Sequence, residues 1–134
     1  MREPVLESEA GILWWRSEGF WHWRNAEFHE LTADEVDACL DAVEARTGKR
    51  SVPLLVDRSN EYSTSFGAWQ RFADRAPSLI SAVAYFAPTV AAAMASEQVR
   101  DILLLRWNGP IMIFRRIEDA ESWLIEQLDN SVRT

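Results

Sequence analysis

"LTADEVDACLDAVEARTGKRSVPLLVD", Leu31–Asp57, holds the transition that decides the fold. Thr32 is followed three residues later by Glu35, a capping box, and Val36, Cys39, Leu40 and Val43 then recur at the spacing of one helical face. Gly48 stands where a left-handed residue can end the helix. The remaining "SVPLLVD", Ser51–Asp57, is wholly apolar from Val52 to Val56 and has none of the polar alternation of a half-solvated strand. That is the pattern of a strand covered on both faces, as in a parallel sheet between helices.

The same alternation continues toward the C-terminus. Phe66 to about Arg75 places Phe66, Trp69, Phe72 and Ala73 on one helical face, with Pro77 as its stop. "LISAVAYFA", Leu79–Ala87, is a second buried strand. Thr89 to about Leu105 reads as an alanine-rich helix with Val90, Met94 and Ile102 inward, broken by Asn108-Gly109-Pro110. "IMIF", Ile111–Phe114, is the last strand, and Glu118 to about Asn130 a closing helix that buries Ala120, Trp123, Leu124 and Leu128. Toward the N-terminus, "ILWWRSEGFWHWRN" places aromatic strands, Ile12–Arg16 and Phe20–Asn25, around Ser17-Glu18-Gly19, where Gly19 supplies the positive φ of a hairpin loop. The order β-β-α-β-α-β-α-β-α describes an α/β fold: one mixed sheet with helices, and an antiparallel N-terminal hairpin at its edge.

A chain of 134 residues is the size of one domain, with the apolar pattern running from about 11 to 128. The net charge of −7, from 21 acidic and 14 basic residues, repels phosphate backbones and argues against nucleic acid as a partner. Cys39 is the only cysteine, which excludes an intramolecular disulfide and a multi-cysteine zinc site. No apolar run reaches the ~18 residues of a membrane span. The N-terminal "MREPVLESEAG" has acids where a secretory signal has an apolar core, so a cytoplasmic location is expected. His22 and His29 have no partners at metal-ligand spacing, and the five glycines form no phosphate loop or dinucleotide fingerprint. No nucleophile elbow is present either, and the chain is expected to be noncatalytic and without a cofactor.

The two-stranded opening, the "LTADE" helix start, the "PLLVD" strand with its serine-rich loop, the "SAVAYF" strand and the closing "IEDAESWLIEQL" helix together resemble the bacterial SpoIIAA-like group. That group is related in fold to STAS domains and to CRAL-TRIO lipid-transfer domains. The resemblance implies a regulatory or protein-interaction module. In regulators of this kind a phosphorylatable serine sits in an Asp-Ser-Ser-Gly turn before the helix that follows the central strand. The corresponding stretch here is "YSTSFGAW", which makes Ser63, Thr64 and Ser65 candidate phosphoacceptors or, as ordinary chemistry provides, helix caps. The aspartate of that turn is absent, and Phe66 stands between Ser65 and Gly67. The CRAL-TRIO relationship implies the alternative, a carrier of a small apolar ligand, with Trp69, Phe72, Tyr85 and Phe86 as lining.

In open α/β sheets ligands bind beyond the carboxyl ends of the strands. Those ends bring Asp57, Ser59, Thr89, Arg115 and Arg116 forward as candidate ligand or anion contacts, although Arg115 and Arg116 can equally pair with Glu118 and Asp119. The hairpin carries four of the seven tryptophans and shows aromatics on both faces. An edge hairpin with a wet aromatic face marks an interface, so a homodimer through Trp15, Trp21 and Trp23 is expected. The intramolecular alternative is that the arm Met1–Ala10, or a helix, covers that face.

Overall fold

The capping box forms as written. Thr32 Oγ1 accepts from the Glu35 backbone, the Glu35 carboxylate accepts from the Thr32 backbone, and helix α1 runs from Ala33–Thr47 with Gly48 at φ 61° as its cap. The computed structural model describes residues 1–48 and 50–133. In chain order the strands are β1 (Arg2–Ser8), β2 (Gly11–Arg16), β3 (Trp21–Asn25), β4 (Glu30–Leu31), β5 (Val52–Asp57), β6 (Ser63–Thr64), β7 (Ile80–Phe86) and β8 (Ile111–Phe114). The further helices are α2 (Phe66–Leu79), α3 (Val90–Leu103) and α4 (Ile117–Arg133).

Six strands form one mixed sheet in the order β1-β2-β3-β5-β7-β8, and β4 pairs with β6 in a small parallel ladder beside it. β1, β2 and β3 are antiparallel, while β3, β5, β7 and β8 are parallel. Every residue of β5 is buried, as a central strand between two helical layers requires. On one face Leu13, Trp21, Trp23, Leu54, Val56 and Tyr85 pack with α1, α2 and α3. On the other, Phe20, Leu55 and Ala84 pack with Ala120 and Leu124 of α4.

Four expectations need correction. The hairpin β2–β3 is not the sheet edge, because β1 pairs along β2 from Arg2↔Arg16 to Ser8↔Gly11. β1 is polar and carries Pro4 next to a register shift, which a strand tolerates at an edge, where one row of its backbone groups has no partner strand. Pro77 lies inside α2, which continues to Leu79 because only the last turn lacks its amide. Phe66 begins α2 but points outward. α3 is rotated from the expected face: Ser96, Val99 and Leu103 are buried, while Val90 and Met94 are 63% and 60% exposed.

Two of the three tryptophans expected at a dimer surface, Trp21 and Trp23, are buried inside their own chain. Trp21 and Trp23 are 0% and 6% exposed, and Trp15 meets Trp21 edge-on with ring centroids 4.9 Å apart. These three share the face covered by the helices of their own chain. On the opposite face Arg2 from the N-terminal strand lies 3.9 Å and Arg24 4.8 Å from the Trp14 ring centroid. The arm expected as the intramolecular alternative supplies the cover, as a strand with a stacked arginine.

Candidate functional site

At the carboxyl ends of the parallel strands, the chain leaving β5 turns through Arg58–Tyr62, and the chain leaving β7 enters α3. Between them lies a cleft of about 430 Å³ lined by Arg58, Ser59, Asn60, Tyr62, Thr89 and the small residues Ala91, Ala92 and Ala95, with Glu27 and Glu61 also in its wall. A smaller hollow of about 260 Å³ continues past Arg58 and Tyr62 between Trp69 and α3. Arg58 is therefore common to both, and it is only 8% exposed. Its Nη1 donates to Tyr62 Oη at 3.2 Å, and its Cζ sits 4.5 Å from the Tyr62 ring centroid.

The five candidate contacts separate. Ser59 and Thr89 line the cleft, and Thr89 Oγ1 also caps α3 by accepting from the Ala92 amide at 3.1 Å. Asp57 does not face it: the carboxylate is buried and turned to the α4 side of the sheet. Arg115 is spent on the Pro88 carbonyl at 3.1 Å, and Arg116 pairs with Glu118 at 3.6 Å. These two arginines do not converge on an anion, because neighbouring positions leaving a strand point in different directions.

Asp57 belongs to a buried polar chain that crosses the sheet. His22 Nε2 lies 2.8 Å from Asp57 Oδ2, Arg16 Nη1 lies 3.2 Å from His22 Nδ1, and Arg16 also bonds Glu18 and Glu121. A guanidinium can only donate, so Nδ1 accepts and Nε2 carries the ring proton, donating it to Asp57. The backbone amide of Ser59 fills Asp57 Oδ1 at 2.9 Å. Burial works to raise the pKa of Asp57, but the hydrogen bonds from His22 and Ser59 outweigh it and hold the carboxyl below its ordinary value. The Trp14 ring closes the pair from solvent, 4.8 Å from the imidazole. Among the described residues the partner of His22 Nδ1 is the Arg16 guanidinium, not a hydroxyl or thiol that the ring could activate.

The serine-rich stretch divides its work. Ser63 and Thr64 form β6 and pair with Glu30 and Leu31, while Ser65 is the N-cap of α2, its Oγ accepting from the Ala68 amide at 3.1 Å. Ser63 is exposed. His29 is engaged by the Glu35 carboxylate at 2.8 Å, so the capping box and the histidine share one acid. Cys39 is buried, and burial pushes its thiol far above the ordinary range. Among the described residues no three His, Cys, Asp or Glu side chains gather into a metal site, and no helix is long and apolar enough to cross a membrane.

The proposed carrier lining does not enclose a ligand-sized space. Trp69, Phe72 and Tyr85 border a void of about 30 Å³, whereas Phe86 lies on the opposite side of the sheet with the α4 cluster. A small-molecule pocket takes roughly 300–1,000 Å³, and the void is nearer the volume of one water.

No family model and no curated protein matches the sequence. Among solved structures, an uncharacterized protein of the DUF3478 family with a SpoIIAA-like fold, from Shewanella loihica PV-4, superposes with a TM-score of 0.59 over 92% of each chain at 14% identity. That likeness establishes the fold of this chain as SpoIIAA-like.

Proposed function

Starting from a SpoIIAA-like fold, we propose that this chain is a noncatalytic interaction module that docks a protein partner through the outer face of α3 and the adjoining Arg58–Ser65 loop. One observation carries the reading: Val90, Met94 and Ile102, apolar residues at helical spacing, face outward together instead of into the core. An apolar helix face left in water marks an interaction surface. The chain's negative charge repels a second copy of itself, so the partner expected is a different protein that brings basic groups to the rim. Phosphorylation at Ser63, Thr64 or Ser65 would add roughly −1.5 to −2 charge beside this face and alter such docking. Ser63 is the best placed, since its side chain is exposed and Ser65 is occupied as a cap. The carrier reading has only the CRAL-TRIO relationship behind it, and the void bordered by Trp69, Phe72 and Tyr85 is too small for an apolar ligand.

The test is site-specific photo-crosslinking in native cells from Met94, with Glu126 on α4 as the control position, followed by phosphopeptide mapping of the same material. The expected result is one protein species captured from Met94 and not from Glu126. Capture of the chain's own copy, or identical adducts from both positions, would refute docking by a distinct partner on α3. Unmodified serines and unchanged capture in Ser63→Asp, Thr64→Asp and Ser65→Asp would refute the phosphate control.

A further inference from the structure

Among the described residues the buried Arg58, at the carboxyl ends of the strands, is held without a counter-ion. Arg58 has Nη1 on a neutral phenol, its Nε finds no acceptor, and no carboxylate stands within 4.0 Å of the guanidinium among the described residues. Burying an arginine nine-tenths without pairing it is costly, and the cost is recovered when an anion enters. The cleft it lines is large enough to admit one, at about 430 Å³. We infer that this cleft is a binding site for a small organic monocarboxylate, its carboxylate received by Arg58 and its apolar body laid against Ala91, Ala92 and Ala95.

The surroundings select the charge and shape of the ligand. α3 begins at the cleft, so the first-turn amides and the positive end of the helix dipole add to the attraction of Arg58 for an anion. Glu27 and Glu61 stand in the same wall and Asp57 precedes Arg58 in the chain, which opposes a polyanion such as a polyphosphate. A planar, singly charged carboxylate matches the guanidinium fork and meets the least of that repulsion. The alanines leave one wall shallow and apolar, suited to a short hydrocarbon or a ring. This inference goes beyond partner docking and concerns the free protein, so its outcome is independent of whether any partner binds α3.

The experiment is amide NMR titration of the full chain with sodium benzoate, with benzamide and inorganic phosphate as separate arms and acetate as competitor. Benzoate is expected to give saturable shifts at Ser59, Asn60, Ala91 and Ala92, with a dissociation constant of about 1–10 mM, and acetate to reverse them. Benzamide is expected to give none. Arg58→Gln should weaken binding at least tenfold. Ala95→Phe, at a partly exposed helix position that lines both hollows, should fill the cleft and abolish the shifts while the chain stays folded. Absence of saturable benzoate shifts, equal shifts with benzamide, tighter binding of phosphate than of benzoate, or unchanged affinity in Ala95→Phe would each overturn the assignment.

Discussion

Removing both members of the His22–Asp57 pair should cost no more than removing either one alone, far short of the sum of the two. Asp57→Leu leaves the His22 Nε2–H and the Ser59 amide without the acceptors they have at 2.8 and 2.9 Å, at a site closed by Trp14. A hydrogen bond to a charged group contributes about 1.5–3 kcal/mol, so the loss expected is about 3–5 kcal/mol. His22→Leu leaves a buried carboxylate with only Ser59 to hold it, and the same range applies. The double leucine variant removes donor and acceptor together and replaces them with apolar groups, so its loss should be about 2–4 kcal/mol, well short of the sum. Urea melts at pH 7, with slopes compared to confirm two-state unfolding, give a coupling of at least about 2 kcal/mol if the reasoning holds. Additive losses, or single variants within about 1 kcal/mol of the parent, would refute it. The pH dependence has a definite sign. Asp57 is held below its ordinary pKa in the folded chain, so at acid pH the unfolded chain takes up its proton first and stability falls with falling pH. The parent's advantage over Asp57→Leu should be constant above about pH 5 and decay below about pH 4.

Two further outcomes follow from the same packing. Phe72→Ala should destabilise the chain by about 3–5 kcal/mol in denaturant melts, while native mass spectrometry of the parent shows no retained apolar molecule; a near-neutral change with a co-purifying lipid would restore the carrier reading. Cys39 should resist thiol reagents in the folded chain and react fully in urea, because burial disfavours the thiolate; rapid modification under native conditions would contradict the packing of α1.

How much of this was readable beforehand depends on the kind of signal each part carries. α1, β5 and the β2–β3 hairpin follow from caps, periodicity and turn chemistry, all of which are local. β1, β4 and β6 carry no such mark: they are short or polar and are strands because a neighbour offers backbone partners. The inward face of α3 is not legible in the sequence, because "VAAAMASEQVRDIL" spreads small and apolar residues around the helix and leaves little contrast to orient it. The burial of Trp21 and Trp23 is not legible locally, because aromatics stand on both faces of the hairpin and only the packed helices decide which face is covered. The His22–Asp57 contact spans 35 residues and needs the β3–β5 register. One signal was available: His22 stands between two tryptophans on a strand, and Asp57 ends an apolar one, so pairing those strands would place two polar groups in a dry interior. Arg58 gave no such warning, since an arginine after a strand reads as a solvated loop charge until the cleft around it is known.

The position of β1 decides what happens to the sheet when the chain meets other chains. β2 is "GILWWR", apolar and aromatic, and its free edge would be a template for adding foreign strands. β1 occupies that edge and ends the sheet with Arg2, Glu3, Pro4 and Glu7, a sequence of charges and one missing amide that accepts no further strand. Glu3 is tied to Arg46 of α1 through two hydrogen bonds of 2.9 and 3.0 Å, which fastens the guard to the body. A protein trimmed to the apolar core from Gly11 onward would keep every element of the helical layers and yet expose the β2 edge to other chains, with Trp14 stripped of one of the two arginines that shield it.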